Sequence, residues 1–143
     1  MLTRETLPSG GLLLTSTSSR TVFRELRPAV VLIVAAGPGD QELNAEVLRQ
    51  LSAAIEHNGP LTIFADMSKL SSISLGSLDD SLEWVRENHA SVAAGHLLVN
   101  HVAVSMVVSM IRSAFGGSVR SYTQTALFEA ALRDLVPDYT SVE

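Results

Sequence analysis

Two short stretches hold most of the residues whose types and spacing could do chemistry. In the first, VVLIVAAGPGDQELNAEVL (residues 30–48), an apolar strand runs through a glycine-bearing turn into a helix, the arrangement in which backbone amides cradle phosphate. Gly37 and Gly39 fill two places of a G-x-G-x-x-G fingerprint, and Asp66, at the end of the next strand, sits where a ribose-binding acid would. Gly37, Gly39 and Asp66 are therefore a candidate ligand loop. Against it, Glu42 holds the third glycine place, and no Walker lysine follows. Asp40, Glu42 and Glu46 gather at the helix start, where they favour the positive end of the dipole themselves and repel a phosphate. The turn reads as a structural corner, with Pro38 and Asp40 as turn formers and Asp40 as a helix cap.

The second stretch, LTIFADMSKLSSISLGSLDDSLEWV (residues 61–85), ends a buried strand in an acid and passes through serines into a helix. A hydroxyl there could be phosphorylated or act as a nucleophile, which makes Ser72, Ser74 and Ser77 the candidate regulatory link. Nucleophilic use needs a base, and the histidines at 57, 89, 96 and 101 lie in no recognisable motif; the G-x-S-x-G elbow is absent. Ser77 reads instead as a helix cap, with Asp80 standing where a capping-box acid would. A phosphate on Ser77 would meet the like charge of Asp79 and Asp80, whereas Ser72 and Ser74 are less opposed. His96 and His101 flank a strand without a third ligand nearby, short of the three or four that zinc takes. No catalytic, metal or cofactor site is expected.

These residues need a scaffold, and the chain supplies one. At 143 residues, 46% hydrophobic, with mean hydropathy +0.26, it has the length of one domain with apolar material to spare for a partner. The absence of cysteine excludes disulfides and thiolate chemistry and suits a reducing, cytoplasmic setting. A net charge of −5 with no basic cluster excludes nucleic acid as the expected partner. Residues 88–111 carry no Asp, Glu, Lys or Arg, but polar groups from Gly95 to Ser109 interrupt them, so they read as two buried elements and no membrane span.

Along the chain, residues 1–11 read as a flexible lead, 12–137 as one domain and 138–143 as a tail. GLLLTST and RTVFREL read as a hairpin, and the continuous run AVVLIVAA as a central strand covered on both faces. The helix that follows places Leu43, Val47, Leu48, Leu51 and Ile55 on its buried stripe, turns Glu46, Arg49 and Gln50 outward, and stops at HNGP. LTIFAD is the next strand, and a second helix from about Leu78 to His89 places Leu78, Leu82 and Val85 at i, i+4 and i+7. HLLVN is a strand, VAVSMVVSMIRSAF a helix, VRSYT a strand and TALFEAALRDLV a last helix stopped by Pro137, its shared face formed by Phe128, Ala131, Leu132 and Leu135. In VAVSMVVSMIRSAF few positions are polar, and Met106 and Met110, four apart, suit an adaptable contact, the candidate interface of a homodimer. The expected fold is α/β, a single-layer mixed sheet of about five strands with about four helices.

In this order, AAGPGD, NAEVLRQLSAAIEHNGP and LTIFADMSKLSSIS resemble the STAS and SpoIIAA-like superfamily, and VAVSMVVSMIRSAFGGSVRSYTQTALFEAAL resembles the closing half of its SpoIIAA-like branch of small bacterial proteins. The resemblance covers about three-quarters of the chain. It implies a non-catalytic regulatory or protein-interaction domain. Antagonists of that superfamily present a D-S-S-G-like element whose serine a partner kinase phosphorylates; here the link reads SSISLGS, with Ser74 and Gly76 in its neighbourhood and no acid before the serine. Two other readings stand beside this one: a carrier whose surplus apolar surface encloses a lipid or other apolar small molecule, and a nucleotide-binding or serine-phosphorylated regulator.

Overall fold

The structure, a computed structural model, describes residues 2–8, 10–99, 109–113 and 118–140. Short turns build its first half. Gly10, at φ 89°, lets the chain reverse between β1 (Thr3–Thr6) and β2 (Leu12–Thr15), and Ser16 N–H bonds Ser19 O at 2.9 Å before β3 (Arg20–Arg27). β4 (Val30–Gly37) completes the antiparallel half and pairs on its other side, in parallel, with β5 (Leu61–Leu70); β6 (Val92–Leu98) and β7 (Val119–Tyr122) extend the parallel half. Among the described residues the sheet has seven strands in sequence order, where about five were expected. The addition at its outer edge is β1, in the segment read as a flexible lead. β4 is the fourth of the seven, as its unbroken apolar run predicts.

Parallel pairing requires crossovers, and helices supply them. α1 (Gln41–Asn58) starts at Asp40, whose carboxylate accepts Leu43 N–H at 2.8 Å, and ends at Gly59, whose N–H returns to Ile55 O at 2.8 Å with φ 78°. Both caps match the sequence expectation. α2 (Leu75–Asn88) begins earlier than expected. Its cap is Ser74, which accepts Ser77 N–H at 3.1 Å, so Ser77 lies inside the first turn, 5% exposed. The reason lies in the preceding link, packed hard against Gly39, which holds Ser74 extended at φ −75°, ψ 153° and lets the helix begin right after it. Asp80, expected to close a box with Ser77, instead accepts from Gln41 Nε2 at 3.2 Å.

The sheet is covered on both faces. Val31, Ile33, Ile63 and Ala65 meet Leu43, Val47 and Leu51 of α1, while Leu32, Phe64 and Leu98 turn the other way onto Phe128 and Leu132 of α3 (Thr125–Leu135). Leu135, placed on one face of α3 with Phe128 and Leu132, is 46% exposed, because Val136 just past the helix end takes the buried place. Residues 109–113 are helical, within the span expected as a helix; Met106 and His101 lie outside the described residues. No helix among the described residues is long and apolar enough to cross a membrane.

Glu46 also departs from the sequence expectation. The helical period turns it outward, yet it is 2% exposed. Arg4 of β1 reaches over that flank of α1 to 2.8 Å from Glu46 Oε1, and Arg49 and Gln50 close on it at 2.6 and 3.0 Å.

Candidate functional site

The candidate site grows from the chain's two chemically suggestive stretches, which meet at the carboxyl ends of β4 and β5. An added Cβ on Gly39 would stand 2.7 Å from Ile73 Cα and 2.8 Å from both Ser72 O and Ser74 N, and one on Gly37 only 2.5 Å from Ser18 O. Side chains are excluded at both places because backbone fills them. Gly39 N–H donates to Ser72 Oγ at 3.3 Å and Ser71 N–H to Gly37 O at 3.0 Å; Ser19 Oγ donates to Pro38 O. The loop after β4 and the link after β5 are thus clasped, main chain against main chain, and the Gly39 amide points at a neighbour's hydroxyl.

Asp66 is placed elsewhere. Its Oδ1 accepts from Ser68 N at 3.0 Å and Ser68 Oγ at 2.6 Å, and it borders a hollow of about 190 Å³ on the α3 side of the sheet with Lys69, Thr125 and Glu129. Gly39 borders a different cavity, on the α1/α2 side. The structure therefore parts Gly39 from Asp66. It brings the three serines together with distinct roles: Ser72 is exposed in the link, Ser74 caps α2, and Ser77, buried in the first turn of α2, shares a 2.8 Å hydrogen bond with Ser74 Oγ. Leu75, between them, is 81% exposed on the first turn of α2. Met110 is 49% exposed.

The electrostatics of this end are acidic. The Leu43 amide at the helix start holds the Asp40 carboxyl below its ordinary value, so it stays ionised where an anion would have to sit. Among the described residues no group of His, Asp and Glu could hold a metal ion. His96 is committed to packing. Its ring stacks on Phe64 at 4.4 Å, and Nδ1 meets Tyr122 OH at 2.8 Å; burial, helped by the charge of Arg120, lowers its pKa and keeps it neutral. No sequence pattern announces this cluster, because its aromatic rings come from four separate elements.

Between the sheet and helices α1 and α2 lies a cavity of about 200 Å³, bordered at one end by Gly39, Asp40 and Ser77 and walled by Ile33, Ala65 and Leu51.

Comparison with solved structures matches this arrangement over most of the chain. A DUF3478-family protein with a SpoIIAA-like fold from Shewanella loihica PV-4 superposes with a TM-score of 0.62 at 12% identity, covering 82% of this chain and 98% of that one. The fold is SpoIIAA-like. The same SpoIIAA-like architecture relates it to the Bacillus cell fate determinant SpoIIAA in its phosphorylated form, with a TM-score of 0.58, 19% identity and coverage of 76% and 96%. An anti-sigma factor antagonist from Mycobacterium paratuberculosis follows at 0.51 and 17%, covering 84% and 98%. No protein-family model matches the chain, and no curated protein matches its sequence.

Proposed function

We propose that this SpoIIAA-like chain is a non-catalytic regulatory domain that acts by binding another protein through its clasped loop pair. Leu75 carries the reading: a large apolar side chain, 81% exposed, set on a backbone held from both sides. A preorganised anchor of this kind loses little freedom on binding, and a buried apolar anchor is what gives a small interface its affinity. The acids at the starts of α1 and α2, Asp40, Glu42 and Asp79, favour a partner with basic residues at the rim. That an anti-sigma factor antagonist shares the fold supports a role of this class.

Within this reading Ser72 is the serine that a kinase would reach, since Ser74 is occupied as a cap and Ser77 is buried. Self-association through the face bearing Met110 belongs to the same proposal, and light scattering over a concentration series tests it. The main test uses immobilised wild-type protein beside Leu75→Asp and, as a control on another helix, Leu127→Asp, each confirmed folded by circular dichroism. Leu127 is 56% exposed. The expected result is a protein retained by wild type and L127D and lost with L75D; identical retention by all three would overturn the reading.

A further inference from the structure

We propose that the cavity between the sheet and helices α1 and α2 is a binding site for a small, uncharged, apolar molecule. Its floor is made by alternate residues of two parallel strands, and two of these, Ala35 and Ala65, are small where neighbours such as Ile33 and Ile63 are large. Space is left where a strand centre would ordinarily be filled. Leu51 and Val47 of α1 close it from above.

The polar groups at its border define the ligand by what they do not offer. Asn44 Nδ2 donates to Ser77 O at 3.2 Å and Ser81 Oγ at 3.1 Å, Ser77 Oγ bonds Ser74 Oγ, and Trp84 Nε1 donates to Ser52 Oγ at 2.9 Å. Asp40, the one charged side chain among the described residues of the border, is engaged by the Leu43 amide. A polar or charged ligand would lose its hydration and find these partners already paired. An apolar one loses nothing and gains contacts. An apolar cavity of roughly 150 Å³ is large enough to admit benzene, so the volume of about 200 Å³ here, open on one side for entry, suits a substituted ring or a short hydrocarbon chain.

Trp84, the chain's single tryptophan, lines the cavity and reports on it. Toluene titrated into the intact protein is followed by side-chain methyl resonances and Trp84 emission, with benzoate as the charged counterpart. Toluene is expected to saturate both signals and benzoate to bind at least tenfold more weakly. Ala65→Leu, which fills the space, is expected to weaken toluene binding at least tenfold without lowering the melting temperature, and Ala35→Leu fills it from the adjacent strand should A65L not fold. Absence of saturable toluene binding in the wild type, equal binding of benzoate, or undiminished binding in a folded filled variant overturns the proposal. L75D is expected to bind toluene as the wild type does, so this site and the protein-binding surface fail or stand separately.

Discussion

A carboxylate that is 3% exposed and still ionised has to be held by several donors, and Glu46 has three in Arg4, Arg49 and Gln50. Burial is the largest single influence and pushes its pKa up, but the hydrogen bonds from Gln50 and Arg49 and the charges of Arg49 and Arg4 together bring it below the ordinary value. The folded state therefore binds this proton less readily than the unfolded chain does. The stability that follows is present above the unfolded value of about 4.5 and is lost as pH falls through the lower folded one. Glu46→Gln keeps the shape and cannot titrate. It is expected to be less stable at pH 7 by about 1–2 kcal/mol, since charged hydrogen bonds become neutral ones, and to lose less than the wild type does on acidification below pH 4.5. Urea titrations at pH 7, 5, 4 and 3 check this, and parallel curves for the two proteins would refute it. The sequence hides this role because helical periodicity reads only neighbours on one helix, and Arg4 arrives from another element.

At the scale of elements, the corner after β4 was legible in its residues. Pro38, Asp40 and the charge around them mark a turn and a capped helix start, and Asp40 does cap α1. What they could not show is the second loop that Gly39 touches, because a glycine selected for close approach looks the same in sequence as one selected for a phosphate. The same blindness displaced the start of α2, where two serines three apart each satisfy a cap pattern and tertiary contact with Gly39 decides for Ser74. Gly39→Ala forces a methyl into backbone atoms at 2.7–2.8 Å, none of them the yielding end of a side chain. Its expected cost is about 1–3 kcal/mol, the usual range for overpacking, with shifts in the amide resonances of Ser71 to Leu75. Gly59→Ala is the control, strained at φ 78°, ψ −150°, a region essentially reserved for glycine, but with nothing within 4 Å; it is expected to cost about 1–3 kcal/mol and to leave the Ser71 to Leu75 resonances in place. Thermal denaturation and amide spectra of both decide; if G39A is destabilised no more than a neutral substitution, or leaves the Ser71 to Leu75 resonances as G59A does, the two loops are not clasped as described.

For the molecule as a whole, alternation of apolar strands with amphipathic helices was enough to give the class of fold and the central place of β4. The outer edge was not readable. Thr3–Thr6 is polar, exposed at all four positions and without apolar alternation, so nothing in it signals a strand. It is held by its ladder to β2 and by the reach of Arg4 to Glu46, contacts that depend on the rest of the fold being in place. Such a strand has a second effect, since a charged edge of four residues covers the apolar Leu12–Leu14 run, which would otherwise present free N–H and C=O groups to another chain. Removing residues 1–7 should therefore do more than lower stability. It should make association concentration-dependent, because the uncovered β2 offers an apolar edge. Arg4→Ala separates the two contributions: it breaks the ion pair and leaves the ladder, and is expected to lower the denaturation midpoint without promoting association. Sedimentation velocity on wild type, R4A and the truncated chain distinguishes these outcomes, and a truncated chain that sediments like the wild type at every concentration would show that β1 does not guard the sheet.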